Sequence, residues 1–553
     1  PEGRTTIPSS ASMQGSHAIQ RSIKQKVFVL CGGETSERQV SLMSGLNTWL
    51  KLSKFSDLDI SPFLLAAPVT SRESHTSQFD EMMQHRKQLM DFGCPEEMLP
   101  QDLQPQLVLM GKGKQAGLPL EQWKVWQVPY QGMLFHTVEE VDKFCEDHNT
   151  EVNSGSNHGA LHPLLQDEMG VASYFEDDRS LADILHSRLE EAELSGLQKM
   201  TFKWKNSTKY NLASFIEQAK EENAIVFLAM HGGVGENGTI QQMLESAGVR
   251  FTGSSSDACN LCMDKVITGD VISRLATEGV KVAPKKLLLY NNLLSNSSCM
   301  QCAEESWVVL QSQLDSASLC IKPSADGCST GVARLRNAND LKLYSSAVTA
   351  NMASIPPNTL TDQRSPIPLP ENAFCPFIVE PFIETADIQI CKKEDTEGDE
   401  SCDESCEELQ LSGDSRWIEV TVGLIGKQGQ MRALQPSITI REYGSILTLE
   451  EKFQGGTGIN LTPPPADVIS PAAIKTAQMR LEITAGALGL SGFARIDAFL
   501  HVDTAELIII EVNSIPGLTP STVLFQQAMA ESNPILPEQF FKSIVDTAAE
   551  GVM

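Results

Sequence analysis

Arg495-Ile496-Asp497-Ala498-Phe499-Leu500, then six residues, then Leu507-Ile508-Ile509-Ile510-Glu511-Val512-Asn513, is the stretch on which the reading of this chain turns. It reads as two strands around a short connection. Side chains alternate along a strand, so Arg495 and Asp497 share one face, Glu511 and Asn513 share another, and a hairpin brings those faces together. Three oxygen donors and one cation then converge. Asp, Glu and Asn oxygens suit a hard ion such as magnesium, completed by water and phosphate oxygens, and not zinc, which prefers His and Cys. A surface hairpin with scattered charges is the alternative. The apolar residues between the polar ones favour burial on both faces, where a carboxylate needs a partner.

Working outward, Leu319-Cys320-Ile321-Lys322-Pro323 is a short strand feeding the loop Ser324 to Gly331, which holds Gly327, Ser329, Thr330 and Gly331. Small residues let backbone N–H groups approach phosphate oxygens. The loop is not a Walker motif, because Val332 follows Gly331. Nearer the amino terminus, the strand Val27 to Leu30 runs into Gly32-Gly33 and a helical pattern from Val40 to Leu52. The strand Ala224 to Met230 likewise meets His231-Gly232-Gly233 and a helical pattern from Ile240 to Ala247. This repeated strand, turn and helix is the grammar of an α/β protein.

The chain of 553 residues, 41% hydrophobic, is long enough for three or four domains. Its strongest apolar runs, Ala224 to Met230 and Leu507 to Val512, are strand-sized, so membrane insertion is not expected. With 43 basic against 71 acidic residues and a net charge of −28, no nucleic-acid partner is expected. A few local lysines can still serve one nucleotide. Thirteen cysteines, an odd number without a secretory signal, point to a reducing compartment. Two C-x-x-C pairs, Cys259 with Cys262 and Cys299 with Cys302, raise a zinc site as a minor alternative, and Cys402 and Cys406 read as incidental. Residues 1–25 read as a tail or linker, about 70–220 as a long insertion, and 392–416 as an acidic mobile loop that cannot bury enough apolar surface to order itself.

Together and in order, these segments resemble the D-alanine:D-alanine ligase family of the ATP-grasp superfamily, and among its members those of plastids, which carry insertions. Gly32-Gly33 with Ser36-Glu37-Arg38 and Val40-Ser41-Leu42 resembles the family's opening, and His231-Gly232 through Gly235-Glu236-Asn237-Gly238 its second motif. Met263-Asp264-Lys265, Glu380 to Ile383, Ile418 to Val422 and Asn513 to Pro520 are similar to later motifs. The similarity covers residues 26–55, 222–275 and 318–530 with gaps, and leaves 70–220 and 391–416 without a motif.

The resemblance implies an ATP-grasp fold preceded by a Rossmann-like parallel-sheet amino-terminal domain. The domains would be 26–262, a central lid at 263–385 and a carboxyl-terminal part at 386–553. It implies ligation of two D-alanines through an acyl phosphate, with ATP and two magnesium ions (manganese as a substitute) and a homodimer. Lys265, Lys322 and Ser329 would contact the phosphates, Glu380, Pro381, Phe382 and Ile383 the adenine, and Glu419 the ribose. Lys452 would reach the γ-phosphate. Asp497, Glu511 and Asn513 would hold metal, and Arg495 with the Gly517 N–H would hold the oxyanion. Glu37 would anchor the first substrate's ammonium beside His231, and Thr522 the second substrate's carboxylate.

Two positions depart from the family pattern. Cys328 stands where members carry a Ser and Phe453 where they carry a Tyr, so the usual hydrogen-bonded latch with Glu37 cannot form. Relatives that make D-alanyl-D-lactate can carry Phe at this place, which keeps a depsipeptide product open as an alternative. A catalytically silent nucleotide-binding repeat of a tandem protein is the other, since the chain does not begin with Met. A chloroplast location follows from resemblance alone, with the cytoplasm otherwise.

Overall fold

The computed structural model describes residues 24–35, 37–67, 123–129, 132–133, 135–154, 207–325, 329–370, 374–392, 407–440 and 459–551. Near the amino terminus, Gln25–Gly33 is a central strand because its run Val27 to Cys31 is buried on both faces. It sits in a six-stranded sheet of spatial order Thr208–Asn211, Lys124–Gln127, Leu58–Ala66, Gln25–Gly33, Ile225–Leu228, Arg250–Phe251. The last four pair in parallel and the first two add antiparallel strands at one edge. The region read as one insertion over 70–220 therefore supplies part of this sheet, together with the helix Leu212–Glu221, whose Phe215 is fully buried. Four-residue strands carry too little alternation to stand out in sequence.

The central part is a four-stranded antiparallel sheet in the order Ala333–Leu335, Leu319–Pro323, Phe377–Pro381, Lys286–Leu288. Helices Tyr290–Ser298, Met300–Leu314 and Ala338–Thr349 cover it, with Trp307, Tyr344 and Phe377 in a shared core.

The carboxyl-terminal part is a five-stranded sheet ordered Arg432–Ala433, Trp417–Gly426, Gly492–His501, Leu507–Asn513, Val280–Val282. Its core is roofed by the helix Pro471–Leu488, which starts on a Ser470 cap with proline in its first turn and stops at left-handed Gly489. Beyond the sheet, Val523–Met529 and Pro537–Glu550 return to the amino-terminal part, where Phe525, Phe540 and Phe541 join the core that holds Phe227 and Phe493. The end of the chain thus fastens the hairpin to the first domain.

The flanks of the acidic segment also differ from expectation. Glu407–Ser412 pairs antiparallel with Asp387–Lys392, and Ile388 and Leu411, opposite each other, pack on the carboxyl-terminal core. Alternate apolar residues at the edges of the insertion suffice for a two-stranded ribbon even though its overall composition is acidic; residues 393–406 lie outside the described residues. Among the described residues no helix is long and apolar enough to cross a membrane.

The hairpin enters through Gly492, whose φ is +74 and where a Cβ would stand 2.8 Å from the Gly253 nitrogen and 2.9 Å from its Cα. Neither backbone can yield as a side chain would. Gly492→Ala is expected to lower stability by about 2 kcal/mol or more, and Gly248→Ala, at φ +70 but with no atom within 4 Å, by about 1 kcal/mol. Urea unfolding of both variants checks the difference.

Candidate active site

Register fixes the first half of the site. Asp497 stands opposite Glu511, and Arg495 opposite Asn513, so all four side chains project from one face of the hairpin. On the other flank Thr421 pairs with Asp497, and Glu419, two residues earlier, shares that face. Asp497 is 4% exposed and Arg495 8%, so their charges meet where water screens them little. One Asp497 oxygen accepts from Arg495 Nε (3.1 Å), Arg495 Nη2 (3.0 Å) and Asn513 Nδ2 (3.2 Å), and the other from the Thr421 hydroxyl at 2.8 Å. Glu511 lies 4.0 Å from Arg495 and 3.8 Å from Lys265 Nζ.

Lysines from the central part face this hairpin. Lys265 opens the helix Lys265–Ile272, which Asp264 caps, and its N–H donates to the carbonyl of Ser324 at 3.0 Å, tying the helix to the start of the glycine loop. Lys322 Nζ is 2.5 Å from Glu380, and Lys285 Nζ is 3.8 Å from the other oxygen of the same carboxylate. Burial pulls the Lys322 ammonium down, but Glu380, then Cys320 and Glu511, more than offset it and the net shift is upward. For Lys285 burial prevails over Glu380, and its pKa falls. Lys265, Lys285 and Glu511 line a common cavity with Gly269.

The third side comes from the amino-terminal part. Glu37 sits at the start of helix Arg38–Leu52, 9% exposed, and its carboxylate comes so close to Gly232 that a Cβ there would lie 2.4 Å from Oε2. His231 Nδ1 is 2.9 Å from the carbonyl of Ile515, which can only accept, so the ring carries its proton on Nδ1. Nε2 therefore accepts from the Ser44 hydroxyl at 2.7 Å, and Ser44 Oγ accepts the Leu518 N–H at 3.1 Å. Burial holds the His231 pKa down at about 4. Beside it, Glu236 accepts from the N–H groups of Gly232 (3.1 Å) and Ile515 (3.4 Å), and burial, followed by the charge of Glu37, pushes its pKa up to about 7.

Glu380 and Pro381 close the strand Phe377–Pro381, Phe382 and Ile383 follow it, and the Arg334 guanidinium lies 4.0 Å over the Phe382 ring. Ser329 adopts a left-handed φ of +60 in the glycine loop. Thr522 donates its hydroxyl to the carbonyl of Gly517 at 2.8 Å. Cys328, Lys452 and Phe453 lie outside the described residues. Among the described residues, no three His, Cys, Asp or Glu side chains gather where they could hold a metal, and the two C-x-x-C pairs do not meet in such a group. Sequence reasoning gave no role to Glu236, Lys285 or Thr421. Glu236 lies inside a quoted motif, whereas Lys285 reaches the site only through the strand pairing that places Glu380.

An antiparallel central sheet bearing lysines over a carboxyl-terminal sheet bearing paired acidic residues defines an ATP-grasp fold, here preceded by a mixed sheet with a parallel centre. The sequence model described as D-ala D-ala ligase N-terminus matches residues 26–254, and that of the D-ala D-ala ligase C-terminus matches 413–546. The D-alanine–D-alanine ligase of Chlorobium chlorochromatii is 24% identical over 327 residues, 59% of this chain and 71% of the relative. That of Carboxydothermus hydrogenoformans is 26% identical over 337 residues, 61% and 85% respectively. A solved D-alanine–D-alanine ligase from Coxiella burnetii superposes with a TM-score of 0.47 at 16% identity over 95% of both chains, a likeness that by itself assigns nothing. The chain belongs to the D-alanine–D-alanine ligase family, on the joint match of the two family models to well over half of its length.

His231 and Glu236 act oppositely on stability. The lowered pKa of His231 gives stability that is complete above about pH 6.5 and lost as pH falls through about 4; the raised pKa of Glu236 gives stability complete below about pH 4.5 and lost as pH rises through about 7. Of these two trends, His231→Asn keeps only that of Glu236. Between pH 6.5 and 4 that variant is expected to lose about 3 kcal/mol less than the wild type, measured by urea unfolding across that range.

Proposed function

We propose that this chain joins two D-alanines into D-alanyl-D-alanine at the expense of ATP, and that the residues gathered above are its active site. The observation that carries the proposal is the meeting of Asp497, Glu511, Asn513 and Arg495 with Lys265 in a chain of this family. Lys265, Lys322 and Ser329 receive the phosphates. Phe382 N–H already donates to the Ser318 carbonyl at 2.9 Å and Glu380 pairs with Cys320 in the same ladder, which leaves the Pro381 carbonyl and the Ile383 N–H for the adenine edge. Glu419 takes the ribose and Lys452 the γ-phosphate.

The hard oxygens of Asp497, Glu511 and Asn513 fit a divalent cation, with magnesium preferred and manganese as a substitute. Two such ions, when bound, neutralise the charge of the β and γ phosphates. The protein residues do the rest. Glu37 pairs with the ammonium of the first D-alanine next to neutral His231, and Thr522 receives the carboxylate of the second. The first carboxylate attacks the γ-phosphorus, giving an acyl phosphate and ADP; the second amine adds to that carbonyl, and phosphate leaves. Arg495 and the Gly517 N–H hold the oxyanion of the tetrahedral intermediate. Arg495 is fixed for this task by two hydrogen bonds to Asp497, so little reorganisation is needed as charge develops.

Cys328 and Phe453 belong to this site in the proposal, replacing the Ser and Tyr of the latch. A homodimer and a chloroplast location complete it and rest on family resemblance.

Phosphate release from ATP and magnesium is expected to require D-alanine and to fall by about 100-fold or more in Glu511→Gln. Release that needs no D-amino acid in the wild type would overturn the ligase reading. Supplied with D-alanine and D-lactate together, the wild type is expected to give mainly amide; a mainly ester product, reduced in Phe453→Tyr, selects the depsipeptide reading instead.

A further inference from the structure

The Cys299-Met300-Gln301-Cys302 stretch has no place in the ligase site. It opens the fifteen-residue helix Met300–Leu314 on the outside of the central part. Cys299 is the N-cap, in extended backbone, and its Sγ accepts the N–H of Cys302 at 3.2 Å. The Ser298 hydroxyl stands 3.7 Å from the Cys302 sulfur. Both cysteines are part-exposed, whereas Cys31, Cys145, Cys259 and Cys262 are buried.

We propose that Cys299 and Cys302 form a redox-active dithiol, oxidised to a disulfide by exchange with an external disulfide. A sulfur at an N-cap sees the positive end of the helix and the unpaired N–H groups of its first turn, which favour the thiolate. Only the thiolate attacks. The Cys299 pKa is lowered, first by the hydrogen bond from the Cys302 side chain and then by the Cys302 backbone. The Cys31 and Cys259 thiols are instead pushed up to about 12 by burial. Cys299 is the N-cap and Cys302 the third residue of the helix, the cap geometry that folds the Cys299 side chain back over Cys302.

The exchange balances. Cys299 thiolate attacks one sulfur of the external disulfide; that S–S bond breaks, a Cys299 mixed disulfide forms and the first partner sulfur leaves as thiolate. Cys302 loses its proton and attacks the Cys299 sulfur, which expels the second partner thiolate and leaves the Cys299–Cys302 bond. Two electrons pass from this chain to the external disulfide, and the two protons released match those taken up by the reduced partner.

Cys299→Ser and Cys302→Ser separate the roles, and serine at 299 keeps a good helix cap, so folding is retained. The native chain is treated with oxidised glutathione and its peptides are weighed. The wild type is expected to lose the mass of two hydrogens across Cys299 and Cys302, restored by dithiothreitol. Cys302→Ser is expected to trap one glutathione at Cys299, at least about tenfold faster than Cys299→Ser traps it at Cys302. Absence of the internal disulfide, or equal trapping in the two variants, would overturn the proposal. These readouts are independent of ligase activity.

Discussion

A buried carboxylate, Asp497, organises the carboxyl-terminal half of this protein. A carboxylate at 4% exposure is tolerable only with partners, and here Oδ2 accepts from Arg495 and Asn513 while Oδ1 accepts one bond from Thr421 and keeps a lone pair for a cation. Those three come from the strand before the turn, the strand after it and the neighbouring strand, so one side chain sets the register of three strands. The same arrangement orients Arg495 and leaves Glu511 facing Lys265. Structure and proposed chemistry therefore make the same demand on these residues.

The second constraint is the joint between the hairpin and the amino-terminal part. After Asn513 the chain follows Ile515 to Leu518 past the helix Arg38–Leu52, held by His231, Glu236, Ser44 and Asn47. The aromatic cluster of Phe227, Phe493, Phe540 and Phe541 stands behind that seam. The polar contacts impose direction and the apolar ones supply most of the free energy. In consequence Glu37 and His231 are fixed relative to Arg495 although more than 250 residues of chain separate them. A global charge of −28 does not prevent four cations, Lys265, Lys285, Lys322 and Arg495, from concentrating beside the acidic hairpin, each held by a carboxylate nearby.

The sequence by itself determined the hairpin, the two glycine turns after apolar strands and the strand that carries Lys322, because each is a local pattern: alternation, an apolar run, or a glycine where backbone must turn. It also determined which oxygen donors and cations were available. Only the tertiary structure decided that Thr421 completes the shell of Asp497, that Lys285 reaches Glu380, and that Glu236 is buried against Glu37, since each needs a partner distant in sequence. It also drew the edge strands out of 70–220 and the ribbon out of the acidic segment. A short strand gains its stability from the neighbour it pairs with, and that neighbour is not written in its own residues.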